Sequence, residues 1–206
     1  MNLRHLFLHF NSHFHLLPFM LYPLLFFLYY SVEVPAPPRF FQPVSLEWQT
    51  QKATQFGLAP PSKFIWADSN LVELPKGQLP VLKDMGKDGN CLPRAISYCL
   101  TGRQGNYAFF RHLVCDHMEQ RGLAARYVRK MRIDRTWMTE TELLAFSDIF
   151  GVPIYCCSES HSGANDWQYH RYWNVGRAHR EPNPADGALF VANHPHKTHF
   201  QVVLQP

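Results

Sequence analysis

Charge is nearly missing from the first 38 residues, where Arg4 and Glu33 are the only Asp, Glu, Lys or Arg side chains. The whole-chain figures of 46% hydrophobic and 17% charged residues therefore average two unlike pieces, although they exclude a wholly disordered chain. A disulfide framework is missing too. The five cysteines are an odd number, none are spaced Cys-x-x-Cys, and Cys156-Cys157 is a bare doublet, a usage that fits a reducing compartment. Nor is there a strong basic excess. The formal charge is +4, and the densest basic stretch, Arg103 to Arg135, mixes its eight Lys and Arg residues with Asp116, Glu119 and Asp134. Nucleic-acid binders carry a denser stripe or a recognisable motif, so this stretch reads as a solvated helical face and no nucleic-acid partner is expected. Internal repeats and low-complexity runs are absent, which argues against a repeat array. What the chain has in quantity is aromatic side chains, 15% of residues and enough for a sizeable core, with 16 prolines and 11 glycines to break it into short elements.

The uncharged beginning holds an apolar run from Leu16 to Tyr30, LLPFMLYPLLFFLYY. A membrane-spanning helix needs about 20 mostly apolar residues, and Pro18 and Pro23 would disturb it. Three readings stay open. The run is a membrane anchor, with membrane contact through residues 16–30. Alternatively it is the hydrophobic part of a signal peptide with Arg4 before it, although no A-x-A cleavage site follows. The third reading is a stretch appended by a start codon placed too far upstream. The proline-rich VPAPPRFFQP, Val34 to Pro43, follows as an extended linker. The expected organisation is an apolar segment and linker over residues 1–38, a lead-in over 39–80, and a globular domain over 81–206.

Hydrophobic spacing predicts helices over Leu46–Phe56, Cys91–Leu100, a stretch capped by Asn106, Leu123–Met131, and one opened by the Thr139/Glu142 capping box and closed by Gly151. Short strands are expected at Val152–Cys157, Trp167–Trp173, Ala188–Ala192 and His199–Leu204. Helices gathered early and strands gathered late imply an α+β fold, a small central sheet flanked by helices.

The chemistry concentrates in Gly86-Lys87-Asp88-Gly89-Asn90-Cys91-Leu92-Pro93. A cysteine in the first turn of a helix meets unpaired N–H groups and the positive end of the helix dipole, which favour thiolate. The same amides can bind an oxyanion, and Gly89 lets the loop turn them inward. Taken alone, the pattern also describes a buried cysteine behind an ordinary Asp-Gly turn. A base is available from His194, His196 or His199 at the head of the last strand. Their spacing matches no standard zinc motif, so no metal and no other cofactor is expected.

Asp88-Gly89-Asn90-Cys91-Leu92 with Arg94-Ala95-Ile96-Ser97 resembles the catalytic-cysteine motif of the ovarian tumour (OTU) family of cysteine deubiquitinases. The resemblance continues in order through Leu100-Thr101-Gly102, Arg111, Trp137-Met138-Thr139-Glu140 with Glu142 and Ala145, Ile154-Tyr155, Trp167 with Tyr169, and His199-Phe200, covering roughly Phe41 to Leu204. It implies a papain-like α/β fold that hydrolyses isopeptide or peptide bonds at the C-terminus of ubiquitin. In that reading Cys91 is the nucleophile and His199 the base. Asp88 holds the loop that carries the oxyanion amides of Gly89 and Asn90, and the partners are ubiquitin or ubiquitinated proteins. A cytoplasmic or nuclear location is implied for the domain. Two positions depart from the family pattern: Pro93 replaces a common aromatic, and Gln201 stands where many members have Asp or Asn to orient the histidine. Gln201 could accept the ring N–H, or an acid from elsewhere, such as Asp68, could replace it. The alternative is an OTU-like domain with weak or no catalysis that binds ubiquitin or another protein. A membrane-tethered scaffold ranks below both.

Overall fold

The computed structural model describes residues 40–66, 72–74, 80–159, 167–173, 186–194 and 199–206. The apolar run at residues 16–30, as well as Asp68 and His196, lies outside them. Among the described residues no helix is long and apolar enough to cross a membrane.

The chain runs β1 (Phe40–Phe41), α1 (Leu46–Gln55), β2 (Val72–Glu73), β3 (Val81–Lys83), α2 (Cys91–Thr101), α3 (Tyr107–Gln120), α4 (Ala125–Arg132), α5 (Glu140–Phe150), β4 (Ile154–Glu159), β5 (Trp167–Tyr172), β6 (Leu189–His194) and β7 (His199–Gln205). This is the expected α+β arrangement. A five-stranded sheet has the order β3-β7-β6-β4-β5, in which only β4 and β6 run parallel. The capping box opens α5 as anticipated, and Gly151 closes it in the left-handed region at φ 69°. Asn106 stands at the start of α3 but does not cap it with its side chain; its amide nitrogen donates to Thr101 Oγ1 at 3.4 Å instead. The three shortest strands, β1, β2 and β3, carry no alternation long enough to read and exist because partners pair with them.

The region before the sheet is part of the same core. Phe56 and Trp48 meet Phe150 at 6.1 and 6.4 Å between ring centroids, and Phe110 lies 6.3 Å from Phe150, all edge-on. Such ring pairs add about 0.5–1.5 kcal/mol each beyond area burial. Buried Gln49 donates to the carbonyl of Cys99 in α2, and Trp66 Nε1 donates to Val203 O in β7 at 2.9 Å. Pro43 bridges Ala188, with Val44 N–H on Ala188 O and Ala188 N–H on Gln42 O.

Two contacts position the site. Helix α2 packs against β7, which brings the start of the helix to the start of that strand. Strand β3 pairs antiparallel with β7 in the register Leu82 to Val203 and Lys83 to Val202. The residue that leaves β3, Asp84, therefore continues along β7 toward Gln201 and His199.

Candidate active site

Cys91 is the first residue of α2 and is 1% exposed. Asn90 precedes it at the cap position without capping the helix, because its side chain is committed elsewhere. Its amide oxygen accepts from Arg111 Nε at 3.1 Å and from an Arg111 terminal nitrogen at 2.8 Å. Its amide nitrogen donates to Asp134 Oδ1 at 3.0 Å and to Asp88 Oδ2 at 3.3 Å. A side-chain cap would occupy N–H groups in the first turn; none does so here.

Arg111 is the central tie of this region. Its guanidinium is buried and also donates to Gly89 O at 3.0 Å, Met131 O at 2.6 Å and Thr136 O at 2.8 Å. One cation thus joins the loop before Cys91 to the chain between α4 and α5. Burial lowers the guanidinium's affinity for its proton, and neutral carbonyls and an amide carry the compensation.

Gly89 sits at φ +78°, and a Cβ there would lie 1.9 Å from Arg135 O. Both the left-handed backbone and the close approach need glycine. Gly89→Ala is expected to lower stability by at least about 2 kcal/mol, read as a fall in the urea midpoint.

Asp88 is held by its own loop and by Arg94. Its carboxylate takes Arg94 through two bonds, 2.7 Å to Oδ2 and 3.3 Å to Oδ1, and the Arg94 guanidinium lies 4.0 Å from the Tyr107 ring centroid. Arg94, with the Asn90 amides, holds the Asp88 carboxyl well below the usual carboxylate range. The N–H of Asn90 donates to Asp88 Oδ1 at 3.1 Å, so of the two loop amides anticipated for an oxyanion, that of Asn90 is engaged within the loop. Asp88 shapes the loop and makes no hydrogen bond to His199 among the described residues.

His199 opens β7 and is 3% exposed. Its Nε2 lies 2.8 Å from Asp84 Oδ1, while its Nδ1 is buried with no hydrogen-bond partner. The anticipated acceptor of the ring N–H, Gln201, instead donates its own amide N–H to Asp84 Oδ1 at 3.1 Å. The physical reason is the β3–β7 register, which supplies a carboxylate at the position a glutamine carbonyl would have had to reach. The bond to His199 lowers the Asp84 pKa, and the charge on Lys87 assists. Gln104, between α2 and α3, grips the same segment. Its amide donates to Asp84 O at 3.2 Å and accepts from Gly86 N–H at 3.4 Å.

The Cys91 sulfur lies against the backbone N–H of Phe200, the residue after His199, as well as the N–H groups of Leu92 and of Cys91 itself. These amides favour thiolate, as the helix position led us to expect. Burial is the larger effect and pushes the thiol above its ordinary value. Cys99, Cys115, Cys156 and Cys157 are buried thiols shifted upward for the same reason. Among the described residues no group of three His, Cys, Asp or Glu side chains could hold a metal ion.

The sequence singled out neither Asp84 nor Gln104. The only available signal for Asp84 was its place just after a three-residue strand, and that strand is defined by its pairing with β7.

A thiol at a helix start, with backbone N–H groups around its sulfur and a carboxylate-paired imidazole on the neighbouring strand, is the constellation of a papain-type cysteine protease. Residues 86–182 match the family model described as OTU-like cysteine protease. Among solved structures, the OTU domain of OTUD1 shares 17% identity at a TM-score of 0.51, covering 59% of this chain and 83% of that one. The Hazara virus OTU bound to ubiquitin shares 15% at 0.48, covering 68% and 94%. The OTU domain protease of Qalyub virus shares 14% at 0.48, covering 62% and 85%. No curated protein sequence matches the chain. Over residues 86–182, a little under half of the chain, the sequence is similar to OTU-like cysteine proteases, and the fold resembles the OTU domain of OTUD1. The matched span holds the cysteine loop but neither Asp84 nor His199, so their pairing is a finding of the structure.

Proposed function

We propose that the chain is a deubiquitinase that hydrolyses isopeptide or peptide bonds at the C-terminus of ubiquitin. The observation that carries this reading is the His199 ring, held through Nε2 by Asp84 with Nδ1 left without a partner, beside the strand position that touches the Cys91 sulfur. With Nε2–H donated to Asp84, the lone pair of Nδ1 is the one basic site of the ring.

Cys91 attacks the carbonyl carbon of the terminal ubiquitin glycine as Nδ1 takes the thiol proton. Backbone N–H groups around the sulfur stabilise the negative oxygen of the tetrahedral intermediate. The imidazolium, balanced by Asp84, returns the proton to the leaving lysine amine. Water then cleaves the thioester with His199 again as base, and Cys91 regains its proton.

The test is hydrolysis of ubiquitin carrying a C-terminal aminocoumarin. The chain should release the fluorophore, and Cys91→Ala should abolish release while Cys99→Ser retains it. Binding of ubiquitin without turnover by the folded chain would contradict the proposal and leave a binding module.

A further inference from the structure

Helix α4 carries more positive charge than its own stability calls for. Most arginines near it are satisfied within the molecule: Arg121 pairs with Asp148, Arg132 with Asp116 and Glu119, and Arg111 is buried among acceptors. Arg126, Arg129 and Lys130 are different. All three are exposed, and none has an ion pair or hydrogen bond among the described residues. Their spacing of three and four residues places them on one stripe, opposite the buried Val128 and Met131.

The helix dipole accounts for part of this. Arg129 and Lys130 lie in the last turn, where cations stabilise a helix. It does not account for Arg126, which stands in the first turn, at the positive end. That end has no acidic residue, and Ala124 at the cap position offers no side-chain bond. An eight-residue helix with a cation at the wrong end carries that charge at a cost to itself. Directly after the stripe come two of the exposed large apolar side chains, Ile133 at 62% and Trp137 at 41%. The chain between them is fixed to the cysteine loop, through Asp134 on the Asn90 amide and Arg135 N–H on Asn90 Oδ1 at 3.4 Å.

We infer that this face, Arg126, Arg129 and Lys130 continued by Ile133 and Trp137, docks an acidic peptide segment that carries an apolar side chain, and leads it toward the loop holding Cys91. Arg126 and Lys130 are about 6 Å apart along the helix axis. Alternate side chains of an extended peptide repeat at about 6.6 Å, so acidic residues at every second position meet both cations. An apolar residue two positions further reaches Ile133. The inference concerns binding alone and does not require the proposed reaction.

The experiment uses the full chain and a fluorescein-labelled decapeptide of alternating glutamate and serine with one phenylalanine. Anisotropy should show saturable binding that weakens as salt rises from about 50 to about 300 mM. The triple variant R126E/R129E/K130E should weaken it by about tenfold or more, and R126Q/R129Q/K130Q by about threefold or more. Ile133→Ser should weaken it by about threefold with little change in salt dependence. Thermal melts of the variants should stay close to the parent, since all four positions are solvent-exposed and the helix-end charge effects are small. Undiminished binding by the folded charge-reversed variant would overturn the inference. So would equal binding of a lysine-for-glutamate peptide, no saturable binding at about 1 mM peptide, or tighter binding of a single-stranded RNA of equal length.

Discussion

Asp84→Ala is expected to lower kcat for ubiquitin–aminocoumarin hydrolysis by about 10²- to 10⁴-fold, with KM little changed. The reason is the bond that holds the His199 ring, Nε2 to Asp84 Oδ1 at 2.8 Å. Without it the imidazole loses both its preferred tautomer and the charge that balances imidazolium, an effect of that size in related triads. Asp84→Asn keeps an oxygen that can accept Nε2–H and should retain more activity than the alanine variant. The Gln201 amide donates to the carboxylate and not to the ring among the described residues, so Gln201→Ala should cost about tenfold or less. A larger loss from Gln201→Ala than from Asp84→Ala would return the orienting role to the residue two positions after the histidine.

The pH dependence of that contact has a definite sign. The folded Asp84 pKa lies below its ordinary value, chiefly through the bond to His199. Its stabilising contribution is therefore complete above about pH 4, the ordinary aspartate range, and is lost as pH falls through the depressed folded value. Asp84 is 61% exposed, so solvent screens the contribution and its effect on overall stability is small. An acidic fall in activity near neutrality does not originate in Asp84.

The largest stability effect is expected at Arg111. Arg111→Met should destabilise the chain by about 3–5 kcal/mol, measured by urea denaturation. The guanidinium satisfies Gly89 O, Met131 O, Thr136 O and Asn90 Oδ1 at once. Methionine fills similar volume but removes the donor from these acceptors, at about 1–3 kcal/mol for each one that is buried and finds no other partner or water. Arg111→Lys should fall near the methionine variant, because a single ammonium cannot span acceptors arranged for a planar fork. A small domain has about 5–15 kcal/mol in total, so either change removes a substantial share. Near-normal stability of Arg111→Met would contradict the role assigned to this tie.

Much of the site was legible before any coordinates. The Asp-Gly-Asn-Cys run placed a thiol at a helix start because glycine and asparagine mark the turn and the apolar spacing of Leu92, Ile96, Cys99 and Leu100 marks the helix. The Thr139/Glu142 box and Gly151 fixed α5 through local hydrogen bonds alone. The orienting acid was not legible, since Asp84 acquires its function from a register between two strands more than a hundred residues apart. The division of labour between the aspartates was likewise hidden. Asp88 stands three residues from the nucleophile yet spends its charge on Arg94, whereas Asp84, farther along the chain, reaches the imidazole. The role of the Asn90 side chain was hidden as well, since its amide is taken by the buried Arg111 guanidinium from a distant helix. The sign of the Cys91 shift also depended on tertiary structure. The helix start argues for thiolate, but the depth of the residue argues more strongly for thiol.

The central claim is that Cys91 and His199, aligned by Asp84, form a working nucleophile–base pair directed at the ubiquitin C-terminus. Its most direct test is intact mass after incubation with ubiquitin bearing a C-terminal propargyl amide, followed by peptide mapping. One ubiquitin adduct is expected on Cys91, absent in Cys91→Ala and greatly slowed in His199→Ala and Asp84→Ala. No adduct in the folded chain, or an adduct on another cysteine, would contradict it.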